Sequence, residues 1–131
     1  MSGVVDLANP ALRAFWTERH LCTLTTLRKD GSPHVVAVGA TLEENLCRVI
    51  SSATSAHVRH VRSNPRVAVC QIDGARWTTV EGLAIVREDE MSVLSGERLY
   101  AARYRTPRPN PLRVVIEISV TKVLGSSAFA K

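Results

Sequence analysis

The sequence predicts a mainly β domain, an antiparallel barrel with short helices at its flanks. Three observations carry this expectation. Six segments are apolar or alternate with a period of two, the early ones are joined by tight-turn signals, and only two or three short helices accompany them, fewer than a parallel βαβ sheet would require. The length of 131 residues leaves room for one core, so a single domain over 1–131 is expected. A hydrophobic fraction of 45% and a charged fraction of 22% are those of a chain that folds rather than one that stays disordered.

Asn9-Pro10 pairs a capping residue with a proline at the first helical position, and Leu12, Phe15, Trp16 and Arg19 follow at helical spacing. From Leu21 the period becomes two, and Lys29-Asp30-Gly31 turns the strand into a return strand over 33–42. Glu43-Glu44-Asn45 leads to a third strand, 46–52. The stretch 53–65 reads as a short helix, with Thr54 or Ser55 as its cap, Val58 and Val61 as its apolar edge and Asn64-Pro65 as its stop. Strands over 66–72 and 76–86 meet at Asp73-Gly74. A helical period covers 89–104, although Gly96 weakens it, since glycine costs about 1 kcal/mol relative to alanine inside a helix. The loop 105–111 holds three prolines, and a strand over 113–124 closes the chain.

The balance of 17 basic against 12 acidic residues gives +5, which favours acidic small molecules and phosphates. Nucleic acid fits less well, because the basic residues are dispersed and few aromatics accompany them. Cys22, Cys47 and Cys70 are odd in number and lie in apolar runs, so they read as three buried thiols in a reducing cytoplasm. There is no signal-peptide pattern and no run near the ~20 apolar residues of a membrane span. His57 and His60 are three apart but lack a third ligand, so no metal is expected. Nucleophile-elbow, Walker and dinucleotide glycine motifs are missing.

The junction 51–57 offers the hydroxyls of Ser51, Ser52, Thr54 and Ser55 beside the free N–H groups of a helix start, with His57, Arg59 and Arg62 on that helix. It reads either as an anion site or as an ordinary cap with a solvated basic face. Arg103, Arg105, Arg108 and Arg113 crowd the proline-rich stretch, which is either an arm reaching acidic groups or a solvated loop. Trp77 follows Arg76 after a turn, where an indole can stack on a planar ligand or pack inside.

The stretches "ERHLCTLTTLRKDGSPHVVAVG", "VCQIDGARWTTVEG", "RYRTPRPNPLRVVIEI" and "VLGS" together resemble the pyridoxamine 5′-phosphate oxidase-like split β-barrel flavoproteins, most closely their deazaflavin-dependent branch. The resemblance runs over nearly the whole chain. It implies a six-stranded antiparallel split β-barrel of the FMN-binding type and a cytoplasmic homodimer whose two cofactor sites lie across the interface. The implied cofactor is coenzyme F-420, with FMN as the alternative. By the same resemblance Ile50, Ser51, Ser52, Thr54, Ser55, Ala56, His57 and Arg59 would hold the ring, phosphate and tail, and Ala75, Arg76 and Trp77 would approach the ring. His34, Val36, Arg103, Arg105 and Arg108 would face the acceptor. The implied activity is hydride transfer to a conjugated acceptor such as the linear tetrapyrrole biliverdin. The alternatives are an FMN-dependent oxidoreductase and a non-catalytic cofactor- or haem-binding module. No residue is nominated as a catalytic acid. His57 stands where relatives usually carry a lysine, and a mostly neutral imidazole predicts weaker phosphate binding unless Arg59 or Arg62 substitutes. The extended C-terminal region of the true oxidases is absent from this sequence, which disfavours their activity.

Overall fold

The computed structural model describes residues 3–130. Its elements run β1 (Gly3–Val4), α1 (Pro10–Thr17), β2 (Cys22–Leu27), β3 (Pro33–Val38), β4 (Ala40–Glu43), β5 (Leu46–Ser52), α2 (Ala56–Ser63), β6 (Arg66–Asp73), β7 (Arg76–Arg87), α3 (Glu90–Arg103), β8 (Arg113–Gly125) and a final 3-10 turn, Ser127–Phe129. All pairings are antiparallel, in the order β3-β2-β6-β7-β8-β5-β4, with β1 added to β8.

The two ends of that order are one piece of chain. The expected strand over 33–42 pairs with β2 up to Val38 and with β5 from Ala40. It is therefore two strands, and the break at Gly39 carries the chain from one edge of the sheet to the other, curling it into a barrel. This division, with the two-residue β1, is why eight strands replace the six expected.

The capping logic at α1 holds: Asn9 Oδ1 accepts from the N–H groups of Ala11 and Leu12. Leu12, Phe15 and Trp16 are buried, whereas Arg19 lies beyond the helix end. Gly31 and Gly74 adopt φ of +87° and +62°, the left-handed geometry that tight hairpins need. The barrel interior is filled by Leu24, Val49, Val69, Val80, Ile116 and Ile118 from successive strands, with Val58 and Val61 of α2 closing onto it. Gly96 marks a close approach within α3, because a Cβ there would lie 2.7 Å from Val115 Cγ2 and 3.1 Å from Ile50 Cγ2. Cys22 and Cys47 are buried, but Cys70 is only half-buried, because it sits on the outer face of β6. Among the described residues no helix is long and apolar enough to cross a membrane.

Candidate functional site

Where the chain leaves β3 for β4, the sheet splits, and a cavity of about 570 Å³ opens between Ala37, Val38 and Gly39 on one side and Ile50 and Ser51 of β5 on the other. His57, Tyr100 and the arm that runs from Arg105 to Arg113 complete its walls. Gly39 shapes it. A Cβ there would stand 2.7 Å from Tyr100 Cε2 and 3.1 Å from Tyr104 Cε2, so the two tyrosine rings, 5.0 Å apart, press on bare backbone. Tyr104 is fixed by its hydroxyl, which donates to the His20 carbonyl at 2.7 Å and accepts from the Ala40 N–H at 3.1 Å.

The polar end of the groove lies at the β5–α2 junction. Ser51 is buried, its hydroxyl donates to Ser55 Oγ at 3.2 Å, and His57 Nε2 lies 2.7 Å from the same oxygen. With Ser51 donating to Ser55, the matching His57 tautomer carries its proton on Nε2; the other neutral tautomer would accept the Ser51 proton instead. Burial, then the neighbouring His34 and His60, hold His57 below the usual histidine pKa, so its imidazole is neutral at pH 7. Behind it His34 meets His60 edge-on at 4.8 Å, and His60 Nδ1 is 2.9 Å from Thr26 Oγ1. His34 Nδ1 is buried and has no hydrogen-bond partner among the described residues. Ser55 occupies the cap position of α2 without a side-chain bond to the helix, which leaves that hydroxyl to the Ser51 network. Ser52 ends β5 opposite Arg113, Ala56 opens α2, and the exposed Arg59 folds back so that Nη1 donates to the Thr54 carbonyl.

The arm is anchored by Arg113, whose Nε donates to Glu97 at 3.1 Å and whose Nη2 donates to the Arg108 carbonyl at 2.6 Å. Arg105 and Arg108 line the groove and are exposed. Arg103, expected beside them, is turned inward instead. Only 8% exposed, it donates to the carbonyls of Glu18, Ala40 and Phe15 and to the Gln71 side chain, with its guanidinium over Trp16. It ties α1, β4 and β6 together and is shut off from the groove, so its place among the acceptor-facing residues is withdrawn. His34 and Val36 point from β3 toward α2 and the core respectively, rather than into the groove. Ala75, Arg76 and Trp77 lie at the β6–β7 turn, outside this chain's groove; Arg76 pairs with Glu18 and Asp73 and covers Phe15. Glu18, His20 and Asp73 converge within metal-binding range, but the Arg76 guanidinium already supplies the positive charge there. Tyr100 and Gly39 escaped the sequence reading; the Tyr100/Tyr104 spacing of four on one helix face was the available signal.

The profile of the pyridoxamine 5′-phosphate oxidase family matches residues 8–127. The chain belongs to that family. It is 50% identical over 123 residues to an F-420H(2)-dependent biliverdin reductase of Mycobacterium tuberculosis, an alignment covering 92% of this chain and 89% of that protein. Among solved structures, a conserved hypothetical protein from Mycobacterium tuberculosis superposes with a TM-score of 0.82 at 20% identity, covering 95% of this chain and 87% of the other. An F-420 reductase superposes at 0.72 with 24% identity, covering 85% and 94%. These two likenesses concern the fold.

Proposed function

We propose that this family member is one subunit of a cytoplasmic, homodimeric, F-420-dependent reductase whose acceptor is biliverdin or a similar linear tetrapyrrole. The observation that carries the reading is half identity, over nearly the full length of both chains, with the F-420H(2)-dependent biliverdin reductase. The residues present fit the coenzyme. Val38 and Ile50 offer an apolar wall to a planar ring, and the buried Ser51 with Ser55 and His57 offers hydroxyl and imidazole partners to a phosphate at the opposite end. Ser52, Thr54, Ala56 and Arg59 extend that end along the junction. When bound, the reduced deazaflavin supplies a hydride.

The chain's own contribution is binding, orientation and charge. Arg105 and Arg108, exposed on the arm, pair with acidic groups of the acceptor. The groove of one chain is open on one side, and the dimer supplies the missing wall: Ala75, Arg76 and Trp77, remote from their own groove, serve the partner's. The exposed apolar side chains Val35, Leu83 and Ile85 on the outer sheet face support that association.

The test is anaerobic titration of the purified protein with reduced F-420, followed by biliverdin with the tetrapyrrole spectrum monitored. Loss of the biliverdin band with stoichiometric oxidation of the coenzyme is the expected result. Absence of F-420 binding at micromolar concentration refutes the reading, binding without turnover favours a storage module, and yellow protein with flavin absorbance favours FMN.

A further inference from the structure

The groove's lining contains arginines, hydroxyls and one imidazole, and no carboxylate among the described residues. This asymmetry bears on His57. The groups around it are His60 on its own helix, His34 from β3, Tyr100 from α3, Arg105 and Arg108 from the arm, and Arg113 from β8, whose charge is already met by Glu97, while Arg59 is exposed and turned back to the Thr54 carbonyl. None of them can compensate a proton on the imidazole. In the neutral state the network is closed on itself, His57 Nε2 and Ser51 sharing one proton at 2.7 Å and Ser51 reaching Ser55 at 3.2 Å. An anion arriving at Ser55 and the start of α2 changes both conditions at once. It supplies the missing negative charge, and a protonated imidazole in turn strengthens the donation through Ser51 and Ser55 toward it.

We propose that this end of the groove binds a phosphate group with uptake of one proton at His57, so that ligand affinity is set by pH through a residue joined by Ser51 to the hydroxyl that meets the anion. The inference rests on reading the groove as the coenzyme site. The lowered pKa of His57 fits it, since an ion that raises that pKa draws in a proton that was absent before.

Calorimetric titration with oxidised F-420 is run from about pH 5.5 to about pH 8 in buffers of different ionisation heat, and proton uptake is read as the difference between the wild type and His57→Gln, because the ring hydroxyl of the coenzyme itself ionises in this range. The expected difference is uptake of up to one proton and a wild-type Kd that weakens, beyond the slope of the variant, by as much as about tenfold per pH unit within the coupled window. His57→Lys is expected to keep only the slope of the coenzyme itself and at least wild-type affinity at the alkaline end, because lysine stays charged. His57→Gln is expected to bind weakly throughout with that same residual slope. A wild type that takes up no more protons than His57→Gln, with the same pH slope, overturns the proposal.

Sulfate, of constant charge, separates this from the coenzyme assignment. If F-420 fails to bind at any pH, the functional reading falls. The proton-coupled anion site then stands if sulfate raises the wild-type unfolding temperature more in acid than in alkali and His57→Gln loses the difference. It falls if the two proteins respond alike.

Discussion

Replacing Arg103 by methionine tests the inward assignment of that residue most directly. The guanidinium makes four hydrogen bonds, and two of its acceptors, the Gln71 side chain and the Ala40 carbonyl, belong to residues with no solvent exposure; the Tyr104 hydroxyl also lies 2.9 Å from the Ala40 oxygen, but its one proton is held by the His20 carbonyl at 2.7 Å. Each buried acceptor left unpaired costs about 1–3 kcal/mol, which sums to roughly 2–6 kcal/mol. Methionine regains about 1 kcal/mol through contacts with Trp16, so the net loss centres near 3 kcal/mol. Against a total stability of about 5–15 kcal/mol that is a large fraction. With a urea m-value of about 1–3 kcal/mol/M, the midpoint of unfolding falls by roughly 1–3 M. Arg103→Lys keeps the charge but loses the fork, and is expected to recover less than half of the loss. A midpoint unchanged within error in Arg103→Met, together with weakened acceptor binding, would refute the structural role and return Arg103 to the groove.

Three further outcomes follow from the same geometry. Arg105→Ala and Arg108→Ala are expected to leave stability within about 0.5 kcal/mol while raising the acceptor KM several-fold, read from steady-state kinetics beside a melting curve. In Gly39→Ala the new methyl meets Tyr100 at 2.7 Å while Tyr104 is fixed by its hydroxyl, so Tyr100 yields into the groove; overpacking of about 1–3 kcal/mol and reduced coenzyme affinity are expected, and an unchanged melting temperature would deny the contact. His57 and His60 are both held below 6.5 in the fold, so the unfolded chain binds their protons more readily. Their contribution to stability is therefore complete above about pH 6.5 and is lost as pH falls through the folded-state values, before carboxylates such as Asp30 and Glu18 titrate; urea midpoints that stay constant from about pH 7.5 to about pH 5 would contradict this.

Much of the architecture was legible because its causes are local. Asn9-Pro10 starts α1 through capping bonds that reach only Ala11 and Leu12, and Gly31 and Gly74 turn hairpins by their own backbone freedom. The break at Gly39 was not legible, since "AVGAT" keeps its alternation and the reason for the break is a pair of tyrosines sixty residues away. The same holds for α3, which buries a glycine and an arginine rather than an apolar stripe. Gly96 there reads as a weakness in a helix, yet it is the position at which Val115 and Ile50 come closest. Nor can a row of four arginines disclose which one turns inward. That depends on three carbonyls and a glutamine brought together only by the folded barrel. At the polar end of the groove, the serine cluster and His57 were both visible in sequence; their mutual hydrogen bonds were not.

The division at Gly39 has a consequence for how the protein behaves when its groove is empty. β3 has a ladder partner on one side only, and residues 37–39 of its bare rim line the cavity. A rim of that kind is where sheets of separate molecules join, and proteins commonly blunt it with charge, proline or a covering loop. Here the cover is the arm and whatever molecule fills the groove. Occupancy should thus govern shelf life as well as turnover: the filled protein keeps its rim shielded during concentration and storage, and the empty one offers it to its neighbours.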